Sequence, residues 1–443
     1  METHKGLMTE GVIWKQILLF SLPLLLGNLF QQLYNTVDSI IVGQFIGSNA
    51  LAAVGSSTPI INLMISFFMG LSVGASVVIS QAYGAENNEQ LKKAVHTSMA
   101  LAIVGGLIMM GIGLYFTSWI IQAVGTPAEV IEGSNTYLRI YFYGIVGVMV
   151  YNIGSGILRA VGDSKTPLYL LMVGAVTNII LDLVFVLVFN RGVDGVAWAT
   201  TISQVLSAVL ILLVLMKTKQ NYHLTLRQVR FDKECLWKIV KIGLPSGLQQ
   251  SVISFSNVIV QSTINSFGSA AMAGCSAYTK IDGFAILPIL SFSMAMTTFI
   301  GQNMGANERE RVRQGAKIGL LMCSVTALVI SGILLLFAPT FLNIFSQEAD
   351  VIYYGTYMLR CLAPAYICLA ISHALSGILR GAGKTMVPMV VMILSWCVLR
   401  MVWIMTMKPI LNDIIVVFSG YVLTWTVSAI LIFLYYKKGR WAE

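Results

Sequence analysis

A chain of 443 residues that is 57% hydrophobic and only 11% charged, with a mean hydropathy of +0.80, falls outside the soluble globular class and reads as a polytopic membrane protein. Its net charge of +9 does not point to nucleic acid, because the basic residues are spread over the loops of one face, where topology and anionic lipid account for them. The six cysteines, Cys235, Cys275, Cys323, Cys361, Cys368 and Cys397, have no paired spacing, so neither a disulfide framework nor a zinc site is expected.

About 20 apolar residues are needed to cross the hydrocarbon core, and the chain offers twelve such stretches. They run over 14–41, 54–81, 94–116, 136–158, 168–189, 195–216, 237–264, 270–300, 315–337, 353–379, 386–407 and 413–436. The expected fold class is therefore all-α, with twelve transmembrane helices. Twenty-two of the 28 Lys and Arg, from Lys5 and Lys15 to Lys437, Lys438 and Arg440, fall on one side of this plan. Only Arg191 and Lys408 fall opposite, while Arg139, Lys280, Arg360 and Arg400 lie within spans. Positive loops are retained in the cytoplasm, which puts both termini there in a multi-pass cell-membrane protein.

An internal repeat organises the twelve spans. "SGILRAVGDSKTP" at 155–167 returns as "SGILRGAGKTMVP" at 376–388, an offset of 221 residues, and Gly47-Ser48 answers Gly268-Ser269 at the same offset. Leu22-Pro23 answers Leu244-Pro245 with a one-residue slip. The expected domains are a six-helix bundle over 1–216, a basic cytoplasmic linker over 217–236 and a second six-helix bundle over 237–443. An even number of spans gives both bundles the same sense, so a pseudo-two-fold along the membrane normal and an enclosed central cavity are expected.

The residues that recur, together with one that does not, carry a family resemblance. An Asp in span 1 (Asp38), the turns Gln81-x-x-Gly84-Ala85 and Gln302-x-x-Gly305-Ala306, and the turns Gly156-x-Leu158-Arg159-x-x-Gly162-x-x-x-x-Pro167 and Gly377-x-Leu379-Arg380-x-x-Gly383-x-x-x-x-Pro388 resemble the multidrug and toxic compound extrusion (MATE) family. The resemblance covers essentially the whole chain. It implies secondary-active export of organic cations or amphipathic compounds in exchange for protons or sodium, and no enzymatic activity. The repeated turns themselves read as structural: glycine for a tight turn, proline to start the next helix and arginine as a cap or interfacial anchor.

The intramembrane acids do not follow the repeat. Asp38 corresponds to Ile259 or Val260, Asp182 to Trp403 and Asn178 to Leu399. On span 1, Asn28, Gln31, Asn35 and Asp38 form one narrow polar stripe, and on span 5 Asn178 and Asp182 are four residues apart and share a face, with Gly174 one turn earlier. Two carboxylates in a low-dielectric site interact strongly with any cation there, and an intramembrane charge marks an ion or substrate path. In the proton-coupled, DNA-damage-inducible (DinF-like) branch of the family, an Asp on span 1 and an Asn-x-x-x-Asp pair on span 5 form the coupling network. The resemblance extends that role to Asp38, Asn178 and Asp182, with Asn152 on span 4 and Thr200 or Thr201 on span 6 in matching places. The same oxygens suit sodium, so proton and sodium both stand as coupling ions.

Span 7 carries an uncharged stripe of Gln250, Ser254, Asn257 and Gln261 as further cavity lining, where the sodium-coupled norfloxacin-exporter branch has an acid. Lys280, Asp282, His373 and Arg400 are the second-half candidates for ion or substrate contact; Arg400 is the expected partner of Asp282, and Arg139 and Arg360 read as anchors. Pro23 lets span 1 bend above Asp38 and is the candidate hinge. The expected partners are amphipathic or cationic small molecules and membrane lipids, with no nucleic acid, no resident metal and no cofactor, and the chain is expected to act as a monomer. A lipid-linked oligosaccharide flippase is the alternative; it would need cationic side chains for diphosphate, and only Lys280, Arg400 and Arg360 offer them. No Ser/His dyad or His-Glu-x-x-His helix supports an enzyme.

Overall fold

The computed structural model describes residues 8–123, 126 and 128–442; Lys5, with the rest of 1–7, lies outside the described residues. Twelve long helices follow one another: α1 Ile13–Ile46, α2 Asn49–Gly84, α3 Asn88–Gln122, α4 Ala128–Ala160, α5 Lys165–Val188 and α6 Val193–Lys217, then α7 Lys233–Asn265. The rest are α8 Ser269–Gly305, α9 Arg309–Asn343, α10 Ala349–Gly381, α11 Met386–Leu411 and α12 Ile415–Lys437. No strand occurs among the described residues. Eleven of the twelve are long and apolar enough to cross a membrane. The exception, α7, is interrupted by Gln249, Gln250, Ser254, Asn257 and Gln261.

Several helices depart from regular geometry where their sequence demands it. A short 3-10 turn over Ala363–Ala365, with Pro364 unable to donate a backbone hydrogen bond, breaks α10. Widened π turns occur at Val42–Ile46, Val184–Val188 and Leu394–Leu399, and such turns concentrate at functional sites. Those at the ends of α1 and α5 begin a few residues beyond Asp38 and Asp182.

The repeat is written into the backbone of the turns. Gly162 and Gly383 both take positive φ (90° and 77°), as do Gly47 and Gly268 (117° and 100°) and the pair Glu86 and Asn307 (51° and 59°). After α4, Gly162 donates to the Arg159 carbonyl and Asp163 to that of Leu158; after α10, Gly383 donates to Arg380 and Lys384 to Leu379. These closures satisfy the last carbonyls of each helix and need a residue tolerant of positive φ. The arginine beside the glycine has a further role in the second half, where Arg380 Nη2 donates to Ser293 Oγ at 2.9 Å and ties α10 to α8.

Two compact units form, and they differ from the expected division at 217–236. The first comprises Leu26–Gly247, the second Met8–Leu25 and 248–442. The linker and the first half of α7 thus pack with the first bundle, and the first half of α1 packs with the second. In the first unit the reason is steric complementarity. Gly70 and Gly74 of α2 meet Gly243 and Gly247 of α7 backbone to backbone: a Cβ on Gly74 would strike the Ile239 carbonyl, and one on Gly70 the Gly247 amide. Small residues four apart on both helices give close van der Waals packing, which drives helix association in a membrane. Asp232 caps the start of α7, accepting from the Cys235 amide at 2.9 Å, and this bond holds its carboxyl below the usual range.

In the second unit the segment that leads into α1 is held by polar contacts. Met8 is buried; its amide donates to Gln302 Oε1 at 2.8 Å and its carbonyl accepts from Asn303 Nδ2 at 3.2 Å. Arg311 of α9 donates to the carbonyls of Met8, Glu10 and Gly11. The repeated Gln-x-x-Gly-Ala turn after α8 therefore anchors the segment that leads into α1.

Substitution at the α2–α7 crossing separates close packing from ordinary glycine content. Gly74→Ala is expected to cost about 1–3 kcal/mol as overpacking and to lower the melting temperature in detergent. Gly111→Ala on α3, where a Cβ meets nothing within 4 Å, should leave it unchanged. Equal melting of the two variants, read by fluorescence-detected size exclusion after heating, would remove the steric account.

Candidate functional site

Four helices of the first unit contribute to one polar cluster. Asp38 projects from α1 and Asp182 from α5, with the two carboxyls within hydrogen-bonding reach of each other. Asp182 is 0% exposed and Asn178, one turn before it, is 1% exposed. Asn178 Nδ2 donates to Thr200 Oγ1 of α6 at 3.5 Å. Gly174 permits this approach, since a Cβ there would collide with the Ser207 hydroxyl of α6. Asp38 Oδ1, Asn178 Oδ1 and both carboxylate oxygens of Asp182 are buried and accept no hydrogen bond among the described residues.

Aromatic and amide side chains complete the cluster, and of these only Gln31 belongs to the expected set. The Tyr34 hydroxyl is within reach of the Gln31 and Gln204 amides and lies in the field of both carboxylates, as does that of Tyr137, which is buried on α4. Tyr141, one turn on, faces Tyr34. Helical spacing could have found two of them: Tyr34 is three residues after Gln31 and four before Asp38, and Gln204 is four after Thr200. No sequence signal marks Tyr137, because its helix meets α1 only in the fold.

Other expected members are not brought to the acids. Thr201 points the other way from Thr200, donates to the Ile140 carbonyl at 3.1 Å and packs on Gly144, so it fastens α6 to α4. Asn152 spends its amide on the Val148 carbonyl one turn back, at 2.8 Å. Asn28 and Gln31 are half-buried and Asn35 is exposed on the α1 stripe. Pro23 is buried in α1, two residues before the point where that helix passes from one unit to the other.

The second unit holds a separate cluster with a different pairing from the one expected. Asp282 accepts hydroxyl hydrogen bonds from Tyr278, one turn earlier at 3.2 Å, and from Tyr366 of α10. Arg400 is not its partner. The guanidinium, 1% exposed, donates to Asn257 Oδ1 at 3.1 Å and Thr424 Oγ1 at 3.3 Å and lies 4.3 Å over the Tyr421 ring. A neutral amide, a hydroxyl and a ring face together replace the carboxylate expected beside it. Lys280 is exposed; two residues from Asp282, it lies on another face, as the helical period requires. His373 sets its ring edge-on to Trp396 at 5.6 Å, with Nε2 buried and unpartnered. On α7, Ser254 donates to the Gln250 carbonyl and Gln261 to Asn265, so of that stripe only Asn257 joins the cluster. The three ion pairs found among the described residues, Lys93 with Glu89, Arg191 with Asp194 and Lys238 with Glu234, involve neither cluster.

Comparison with known proteins agrees with this architecture. The MatE family model matches residues 23–184 and again 245–406, one match to each half of the repeat. A probable multidrug resistance protein of Bacillus subtilis, YoeA, is 32% identical over 433 residues, covering 96% of this chain and 94% of that one. The multidrug export protein MepA of Staphylococcus aureus is 23% identical over 375 residues, covering 85% and 83%. The outward-facing structure of a multidrug resistance MATE family transporter of the MOP superfamily superposes with a TM-score of 0.92 at 26% identity, over 99% of this chain and 98% of that one. Two family matches in register with the repeat, on a two-lobed helical membrane fold, establish that this chain belongs to the MatE family of multi-pass membrane transporters and is not an enzyme.

Proposed function

We propose that this chain is a multidrug efflux antiporter that exports amphipathic or cationic small molecules by alternating access, driven by cation entry at Asp38 and Asp182. The observation that carries the coupling reading is the group of four buried acceptor oxygens on Asp38, Asn178 and Asp182 that no donor faces. Such acceptors are costly in an apolar surrounding, and two carboxylates in contact repel unless a cation lies between them. A proton shared by the carboxyls meets this need. So does a sodium ion, for which Asn178 Oδ1 and Thr200 Oγ1 add hard oxygen ligands. Either ion, descending about 100 mV, supplies roughly 2.3 kcal/mol per charge, enough for about fifty-fold accumulation.

The Asp on α1 with the Asn-x-x-x-Asp pair on α5 supports the DNA-damage-inducible branch within the family. The names of the relatives, multidrug resistance and multidrug export proteins, support the substrate class. The same reading puts both termini in the cytoplasm of a cell-membrane protein that works as a monomer among lipids. Against a flippase, Arg400, one of the three cations it would use, is buried and already held by Asn257, Thr424 and Tyr421, so it is not available to a diphosphate.

In proteoliposomes, uptake of a fluorescent cation should rise under an imposed pH gradient or an imposed sodium gradient; a response to neither removes the antiporter reading. Asp38→Asn should reduce gradient-driven uptake by about fifty-fold, the whole gain available from one charge at 100 mV, with expression intact. Thr201→Val, on the other face of α6, should keep coupling. Wild-type transport in the Asp38→Asn variant would sink the coupling site.

Pro23 adds a mechanical step. Residues 13–25 of α1 pack with one unit and its remainder with the other, and a proline two residues before that change frees a backbone carbonyl and permits a bend. Cation binding at Asp38, further along the same helix, would bias the bend. Spin labels at Trp14 and Ile40 should report a distance that changes between pH 5 and pH 8 in the wild type and stays constant in Asp38→Asn. A distance independent of pH in both proteins would remove the hinge.

A further inference from the structure

One cavity lies apart from both polar clusters. It measures about 450 Å³, is open on one side, and is formed within the second unit by Pro339 near the end of α9 and by Ile352, Tyr353, Thr356, Tyr357 and Arg360 of α10. These α10 residues recur every three or four positions and so line one face of the helix. The loop before α10, residues 344–348, contains no Lys or Arg, whereas Arg380 and Lys384 lie at the far end. The cavity therefore sits at the end of the fold away from the basic loops.

Its chemistry is that of an anion site with an apolar margin. Arg360 is exposed and makes no hydrogen bond or ion pair among the described residues. Thr356 Oγ1 is buried with no partner. Tyr353 and Tyr357 stack at 6.1 Å with 29° between their planes, and Tyr357 is braced edge-on by Phe418 at 5.5 Å. Asp413, the carboxylate near Tyr357, is occupied by the Ile415 amide at 2.8 Å. Just before Pro339, α9 exposes Leu336 (78%) and Phe337 (50%).

An arginine inside a membrane span without a counter-charge is costly, and guanidinium matches phosphate geometry with two parallel donors. Tyrosine pairs suit the boundary between headgroup and acyl chain. We propose that this groove binds a phospholipid of the adjacent leaflet, with its phosphate diester on Arg360 and Thr356 and an acyl chain along Leu336 and Phe337. The first half offers an internal contrast. Its equivalent arginine, Arg139, is also exposed, but Glu132, Asn135 and Thr136 stand there in place of Tyr353, Thr356 and Tyr357.

Native mass spectrometry of the full chain, purified in detergent and titrated with phosphatidylglycerol, tests the site. The wild type and Arg139→Gln are expected to retain a phospholipid that Arg360→Gln binds about tenfold more weakly, the scale of a lost charge-assisted pair. Thr356→Val should fall between them, and Arg360→Lys should keep part of the binding. Equal retention by wild type and Arg360→Gln, or equal loss in Arg139→Gln, overturns the proposal, because either would mean non-specific annular lipid. Full displacement by inorganic phosphate at millimolar concentration overturns it too, since the groove would then be a phosphate site without use for the chain. If Arg360→Gln does not fold, Arg360→Lys and Tyr353→Leu decide: retention at the wild-type level in both rejects the site, and weaker retention in both supports it.

Discussion

The interaction on which the site depends is the meeting of two carboxylates, Asp38 and Asp182, inside a helical membrane bundle with no donor facing Asp182 on either oxygen. Helix packing alone gives no reason for it. The second half of the repeat builds the same kind of bundle with Ile259 or Val260 and Trp403 at the corresponding positions. Charge in a low-dielectric site costs several kcal/mol unless it is offset. The surrounding groups do not offset it. The Asn178 amide is directed to Thr200, and the Tyr34 hydroxyl has Gln31 and Gln204 within reach. The acids are thus left without donors among the described residues, which is what supports the cation proposed there.

Asp282 makes the contrast within one molecule. It too is an acid in a span, yet two tyrosine hydroxyls are supplied to it, and the buried arginine nearby is solvated by an amide, a hydroxyl and a ring rather than by the acid. Both donors go to Oδ1, so one oxygen of this carboxylate is satisfied by the protein and the acid is fastened to α10. A carboxylate given none is poised to exchange an ion. This difference is what supports the proposed coupling at the first unit's acids, while the second unit's polar contacts join α8 to α10 and α11 to α7 and α12.

Much of this was legible in the sequence, and the limits are physical. Twelve helices, the repeat, its glycine turns and the Asn178–Asp182 pairing follow from periodicities of 3.6 and 221 residues, which local geometry and duplication impose. Thr200 and Thr201 could not be separated by position alone, since adjacent residues point 100° apart and only the packing of α6 on α4 and α5 decides which one meets Asn178. Tyr34 and Gln204 were within reach of helical spacing, being one turn from residues already singled out. Tyr137, Tyr366 and Thr424 were not: each joins its site through a contact between helices far apart in the chain, and no pattern along one helix encodes it. The pairing of Arg400 with Asp282 failed for a related reason. Opposite charges attract most strongly in sequence-based reasoning, but a buried guanidinium can be satisfied by neutral oxygens and a ring face.

The exchange of the first halves of α1 and α7 between the compact units was invisible to the repeat, which divides the chain at the linker. It arises because each helix start is captured by a surface that its own half does not provide. For α7 that surface is the glycine pair of α2, where absent side chains allow backbone contact. For α1 it is the Gln302-Asn303 turn and Arg311, where polar donors hold the carbonyls of residues 8, 10 and 11. The close backbone crossing belongs to α7, while hydrogen bonds hold the segment that leads into each helix, since Asp232 ahead of α7 donates its amide to Thr97 Oγ1 at 3.0 Å. A contact between backbones is rigid and insensitive to ions, whereas a clamp of hydrogen bonds can be rearranged at modest cost. Of the two helices whose first parts pack apart from the remainder, α1 is the one that carries Asp38, and on the reading proposed above it is the one that bends.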